Sequence, residues 1–253
     1  MKYMLVIGPQ RLKQAMIIGT SLLLAILLGY AERETITAFS TSDTAPHAIY
    51  KVDTKEKKIA LTFDISWGET RAEPILNILK EKNVKATIFL SSAWSQRHPE
   101  LVKRIKEDGH EIGSHGHKHD FYSKYSDEEI RRQIRLADSI LTDLAGKKPT
   151  LIRMPNGDFD KRVLKIADSL GYSVIQWDTD SQDWTNPGKD VIIDNVLSKA
   201  HPGDIVLMHA SDSSKETHLA LPVIIDKLRA QGYALVTVSE LITGTDVKSE
   251  EVH

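Results

Sequence analysis

Glu111-Ile112-Gly113-Ser114-His115-Gly116-His117-Lys118-His119 sets a short strand-like run directly against three of the chain's ten histidines. How that run is delivered decides the fold. His115 and His119 are four apart; on one helical turn their Cβ atoms would stand ~5–6 Å apart on a single face. Neutral ring nitrogens placed so can share one divalent cation. On a strand, alternation would instead align His115, His117 and His119 alike. A metal-free surface turn rich in histidine is the competing reading, and the pair alone does not separate the two.

The flanking chain is regular. Residues 59–63 read as a buried strand ended by Asp64, and 72–81 has helical spacing with Pro74 in its first turn, where proline is tolerated. Further strands are expected at 84–90, 111–113, 151–153, 172–177, 204–208 and 234–238. Helices are expected at 99–108, from Ser126 to Ala145, and at 160–170, 191–200 and 219–230. Ser126 with Glu129 has the pattern of a capping box. Strand and helix in alternation predict parallel strands covered by helices.

An open doubly wound sheet and a (β/α) barrel both satisfy that pattern. No Gly-x-Gly-x-x-Gly follows the first strand and no P-loop motif occurs, which removes support for a nucleotide-binding sheet. Asp64, His115, Arg153, the span from Asp178 to Asp183, and His209 each fall at the C-terminal end of an expected strand. In a barrel such ends share one mouth. The expectation is therefore a barrel-like α/β fold with one polar mouth.

At 253 residues with 41% hydrophobic side chains the chain holds one domain of ~200–250 residues or two small ones. Thirty-three basic against thirty-five acidic residues give no bulk electrostatic reason to bind nucleic acid. The absence of cysteine excludes disulfides, thiolate nucleophiles and cysteine-based zinc sites. Lys2, Arg11 and Lys13 precede an uncharged run, 15–30, which is shorter than the ~20 residues that span a bilayer untilted. Gly29-Tyr30-Ala31 reads as a loose cleavage site. A cleaved signal and a retained membrane anchor both put the remainder outside the cytoplasm. The expected organisation is a signal or anchor at 1–31, a polar linker at 32–56, one folded domain at 57–244 and a polar tail at 245–253.

At the mouth, Asp64 is either a general base or an N-cap for the next helix. Arg153-Met154-Pro155-Asn156-Gly157 is either a turn with a structural arginine or a preorganised set of backbone donors. Arg153 could orient Asp64 through a two-pronged ion pair. Trp177 and Trp184 bracket Asp178, Asp180 and Asp183, which suits a floor for a flat ligand such as a sugar ring. His209, beside a carboxylate, would stay protonated near neutrality and serve as a general acid.

Thr62-Phe63-Asp64, His115-x-x-x-His119, Arg153-x-Pro155-x-Gly157, Asp180-Ser181-x-Asp183-Trp184 and Leu207-x-His209 follow one another in this order. On those motifs the chain, over about residues 57–241, resembles the polysaccharide deacetylase family, carbohydrate esterase family 4. That family's NodB homology domain is a distorted (β/α)7 barrel. The N-terminal apolar run, Thr-Phe-Asp-Ile-Ser-Trp-Gly and Arg-Met-Pro-Asn-Gly are most similar to the PdaB-type sporulation deacetylases of endospore-forming bacteria. The resemblance implies His115 and His119 as metal ligands, with zinc the first choice and cobalt or another first-row ion as alternatives. It implies Asp64 as base, His209 as acid tuned by Asp183, and Arg153 as the residue orienting Asp64. It further implies Pro155 and Asn156 at the oxyanion, and Trp184 and Leu207 lining the groove and acetyl pocket. The expected substrate is an N-acetylated cell-wall glycan such as spore-cortex peptidoglycan, met outside the cytoplasm.

One position departs from the pattern. The family's usual Thr-Phe-Asp-Asp supplies a second carboxylate to the metal, and here that position is Ile65. An apolar side chain cannot coordinate, and catalytic zinc sites use three protein ligands. His117 and Asp120 are the nearby replacements, and Asp64 itself is a third. A glycan-binding member that has lost turnover is therefore a second reading. A glycosidase using Asp64 and Asp183 as its carboxylate pair is a third.

Overall fold

The computed structural model describes residues 46–243, together with Gln10. The apolar run at 15–30 and the tail lie outside the described residues; among those described, no helix is long and apolar enough to cross a membrane. The compact unit begins at Pro46, eleven residues before the expected boundary at 57. Part of the expected linker is thus inside the fold: Ala48 and Ile49 form the first strand, β1, and are buried with Val52. Three apolar side chains buried in the core hold this segment down.

The remaining strands are β2 (Lys58–Ile65), β3 (Thr87–Leu90), β4 (Glu111–Ser114) and β5 (Leu151–Ile152). They continue with β6 (Ser173–Ile175), β7 (Thr179–Asp180), β8 (Asp204–His209) and β9 (Ala234–Val236). They form one curled sheet in the order β1-β6-β5-β4-β3-β2-β8-β7, with β9 beside the first half of β2. Every strand pairing is parallel, as expected of strands joined by helical crossovers. Residues 173–180 pair at their start with β1 and β5 and at their end with β8, so a single interrupted strand reaches both limbs of the curl. A bridge between Lys51 and Asp204 ties the same two limbs. This is the distorted (β/α) barrel the motifs implied.

Alternation along β2 sorts its side chains into two environments. Leu61, Phe63 and Ile65 point into the apolar layer under the helices, where Ile75, Leu76 and Leu79 of α1 (Ala72–Glu81) meet them. Ala60 points inward with Ile49, Phe89, Leu151, Ile175 and Ile205, one residue from each of six strands, so the barrel interior is a packed core. Val238 and Leu241, on the short helix Val238–Ile242, join that core from the chain's end. This helix lies where the last strand was expected to run on, and its capping box (Thr237 with Glu240) ends β9 early. At Ser126 only half of the expected box forms: its hydroxyl accepts from the Glu129 N–H, but the Glu129 carboxylate binds Arg132 and Gln133 instead.

Candidate active site

Asp64 and His209 are paired across the β2–β8 ladder, so parallel register alone sets them side by side at the C-terminal rim. Inward alternation from Ala60 through Thr62 then aims Asp64 at the mouth. β4 and β5 pair at Ser114 and Ile152, so His115 and Arg153 are each the first residue beyond neighbouring strands. Five segments converge in this way on one cavity of about 400 Å³, lined by Asp64, His115, His119, Asn156, Trp184, Leu207 and His209 among others.

Behind that lining stands Arg153, fully buried. Its Nη1 donates to Asp64 Oδ1 at 2.9 Å and to Thr62 Oγ1 at 2.8 Å, while Nη2 donates to the Gln176 carbonyl at 2.9 Å. The guanidinium lies 4.3 Å from the Phe89 ring centroid, so it caps the apolar barrel core. The ion pair has one prong rather than the two expected, because the second arm of the fork serves the Gln176 backbone. That leaves Asp64 Oδ2 facing the mouth. Burial raises the Asp64 pKa, but Arg153, then His115 and His209, outweigh it and hold the carboxyl below its ordinary value.

His209 is anchored from the opposite side. Its Nδ1 lies 2.7 Å from Asp183 Oδ1, and its own backbone N–H donates to Asp183 Oδ2 at 2.7 Å. Thr217 Oγ1 donates to the same Oδ2 at 2.6 Å, so the fully buried Asp183 is held by three hydrogen bonds. Burial lowers the His209 pKa, and the hydrogen bond and charge of Asp183, with Asp64, reverse this and raise it. Asp64 is thus biased toward its charged form and His209 toward its protonated one.

The histidine knot is a loop and not a helical turn. Gly116 turns it at φ 69°, and a Cβ there would lie 2.2 Å from the Tyr122 hydroxyl. The His115 and His119 rings still come together, with centroids 5.3 Å apart. His115 Nδ1 lies 2.8 Å from the Arg153 carbonyl, so Nδ1 carries the proton and Nε2 is left with a lone pair. That Nε2 lies 3.8 Å from Asp64 Oδ2. Burial drives the His115 pKa down to about 4 and that of His119 down as well, so both rings are neutral donors at pH 7.

Two imidazoles therefore suit a divalent metal, and the third donor is the difficulty. Ile65 is buried in the apolar layer behind β2 and does not line the cavity. His117 turns away to Ser92, its Nδ1 2.9 Å from the hydroxyl, and Asp120 accepts from the Tyr125 hydroxyl at 2.5 Å. Among the described residues, Asp64, His115 and His119 do not bring three ligand atoms within 4.8 Å of one another. Asp178, His201 and Asp204 do, and so could hold a metal ion.

Not every expected residue reaches the mouth. Asp178 pairs with Lys51 and His201 near the start of β8, because the strand break between β6 and β7 turns it away from the cavity. Pro155 is buried and does not line the cavity, whereas Asn156, held at φ 59°, does. Trp177 and Asp180, expected at the floor of the mouth, line the cavity, and so do Trp67 and Ser211, which were not singled out as site residues. Trp67 meets the His119 ring edge-on at 5.0 Å, and its place in Ile65-Ser66-Trp67-Gly68, just beyond Asp64, was the available signal. Thr217 carried none, since it begins a helix thirty-four residues from Asp183.

A sequence profile of polysaccharide deacetylases matches residues 51–175. The chain is 37% identical over 199 residues to a peptidoglycan-N-acetylglucosamine deacetylase of Bacillus cereus, covering 78% of this chain and 93% of that one. It is 36% identical to the uncharacterized protein YlxY of Bacillus subtilis over 79% of this chain, and spans 62% of that relative's length. Among solved structures, BA3943 of Bacillus anthracis, described as a CE4 family pseudoenzyme, is 35% identical. It superposes with a TM-score of 0.76 over 81% of this chain and 72% of its own. A mutant of BA3943 is described as having restored enzymatic activity.

Proposed function

The chain belongs to the polysaccharide deacetylase family, carbohydrate esterase family 4, and from that membership we propose that it removes acetyl groups from N-acetylated sugars of peptidoglycan. The observation carrying this reading is the opposed bias of Asp64 and His209, neighbours on adjacent strands facing one cavity. Asp64 takes a proton from water as the water oxygen bonds to the acetamide carbonyl carbon. His209 gives its proton to the departing nitrogen as the C–N bond breaks, leaving acetate and a free amino sugar. Arg153 keeps Asp64 ionised and aimed, and Asp183 does the same for protonated His209. The Asn156 N–H is the donor proposed for the oxyanion, Leu207 borders the acetyl methyl, and Trp184 offers a face to the sugar.

His115 and His119 would hold the divalent ion, zinc by its donor set. When bound, such an ion polarises the carbonyl and makes water a better nucleophile at neutral pH. With two imidazoles and no carboxylate from position 65, affinity is expected to be low. Action outside the cytoplasm follows from the substrate. Attachment through 15–30 rests on that uncharged run behind Lys2, Arg11 and Lys13, and a place in the spore envelope rests on the sequence resemblance.

A second reading, a glycan-binding member with little or no turnover, is favoured by Ile65 and by the likeness to a pseudoenzyme. Zinc-supplemented protein incubated with N-acetylated peptidoglycan separates the two. Acetate release that disappears in Asp64→Asn supports hydrolysis. Glycan retention without acetate, equal in both proteins, transfers the case to binding.

A further inference from the structure

A second cluster of ligand-type side chains lies far from the mouth, at the opposite end of β8. Asp204 begins that strand and His209 ends it, a separation of roughly 16 Å at the rise of an extended chain. Asp204 is fully buried; its Oδ2 accepts from Thr179 Oγ1 at 2.7 Å, but its Oδ1 has no hydrogen-bond partner. Leaving a buried carboxylate oxygen bare is costly unless a cation or proton meets it. That oxygen faces His201, whose Nε2 is 4.0 Å away. His201 Nδ1 lies 2.9 Å from the Pro202 carbonyl, a contact that orients the ring with Nε2 toward the two carboxylates. Nε2 points between Asp204 and Asp178, with Asp178 Oδ2 at 2.7 Å.

We propose that Asp178 Oδ2, His201 Nε2 and Asp204 Oδ1 form a divalent-cation site, zinc in class, that clamps the foot of the barrel. Their ligand atoms all lie within 4.8 Å of one another. Atoms ~2.1 Å from a tetrahedral zinc stand ~3.4 Å apart, inside the span of this triad. One imidazole with two carboxylates suits zinc over the oxygen-seeking calcium and magnesium. Asp178 and His201 are each about one-third exposed, so an ion reaches the site from solvent. Lys51 Nζ, 2.9 Å from Asp178 Oδ2, occupies part of the same field from a half-exposed side chain. It therefore competes with the ion and can swing into water when the ion binds. The ion would join the lead into β7, the head of β8 and, through the Lys51–Asp204 bridge, the segment after β1, where the sheet's two limbs meet.

The site is independent of the mouth, and its test is arranged so. Zinc binding to the full chain is measured by titration calorimetry and by metal content after gel filtration, in a His115→Ala/His119→Ala background that lacks the mouth's imidazoles. One zinc per chain is expected to remain, with a higher melting temperature when zinc is present. Adding His201→Gln should weaken binding at least tenfold and abolish the zinc-dependent thermal shift, read against the metal-free melting temperature of the same variant. Lys51→Met, with His201 intact, should tighten binding several-fold. A background protein that binds no zinc overturns the proposal and leaves Asp204 as a buried acid keeping its own proton. Zinc binding indifferent to His201→Gln overturns it equally.

Discussion

Arg153 reaches Asp64 across eighty-nine residues of sequence, Nη1 to Oδ1 at 2.9 Å, with the arginine wholly enclosed and the carboxylate nearly so. Each charge is the reason the other can be buried. Arg153→Met should therefore destabilise the fold by about 3–5 kcal/mol, the usual cost of stranding a buried partner. Asp64→Asn on top of it should recover part of that loss. Urea unfolding of both single variants and the double variant measures the coupling; strictly additive effects would mean the pair is not a unit.

The two site groups titrate in opposite senses, which fixes the shape of the pH profile. Hydrolysis needs Asp64 ionised and His209 protonated, so acetate release should fall at low pH through a pKa below 3.8 and at high pH through one above 6.5. The stability linkage runs the same way. The Asp64 contribution is present above its unfolded pKa and lost as pH drops through the depressed folded value. The His209 contribution is complete below its unfolded pKa and lost as pH rises through the elevated one. Asp183→Asn should move the His209 ring titration, followed by NMR, downward; an unmoved titration would remove Asp183 as its cause.

Ile65 tests the account of the metal. Ile65→Asp should tighten zinc binding at the mouth by at least the ~10–100-fold that even an outer-shell partner is worth. The metal-free variant should melt lower, because the residue sits in the apolar layer with Leu61 and Phe63. Calorimetry in a His201→Gln background isolates the mouth. Unchanged affinity would show that a carboxylate at 65 cannot reach the ion.

Gly116 is where the histidine loop depends on backbone freedom. Gly116→Ala must hold φ near 69° and push against Tyr122, whose hydroxyl also accepts from the His117 N–H at 3.1 Å. A loss of about 1–3 kcal/mol is expected from strain of this kind, together with weaker zinc binding at His115 and His119. Full stability in this variant would mean the loop can be rebuilt without the glycine.

Trp184 is more than half exposed on the cavity rim, so its removal should be silent in stability and audible in binding. Trp184→Ala should weaken glycan binding by roughly three- to tenfold, in line with ~0.5–1.5 kcal/mol for a ring contact. Thermal melting and glycan retention, measured side by side, check both halves.

The alternation of strands and helices, the motif order and the residues at the strand ends were all legible in the chain, because side-chain period and chain order determine them locally. They sufficed for a barrel and for Asp64, His115, His119, Arg153, Asn156 and His209 in their places. Sequence spacing decided least where a loop replaced regular structure. The spacing of His115 and His119 allowed one helical turn among other readings, and Gly116 brings them together without a helix; the break after Ile175 sends Asp178 to the far end of the barrel. What only the tertiary structure decided was partnership. The second arm of Arg153 goes to Gln176, Thr217 reaches Asp183, and Asp178 meets His201 and Asp204. Hydrogen bonds and ion pairs form between atoms a few ångströms apart, and parallel register, not position along the chain, sets those distances.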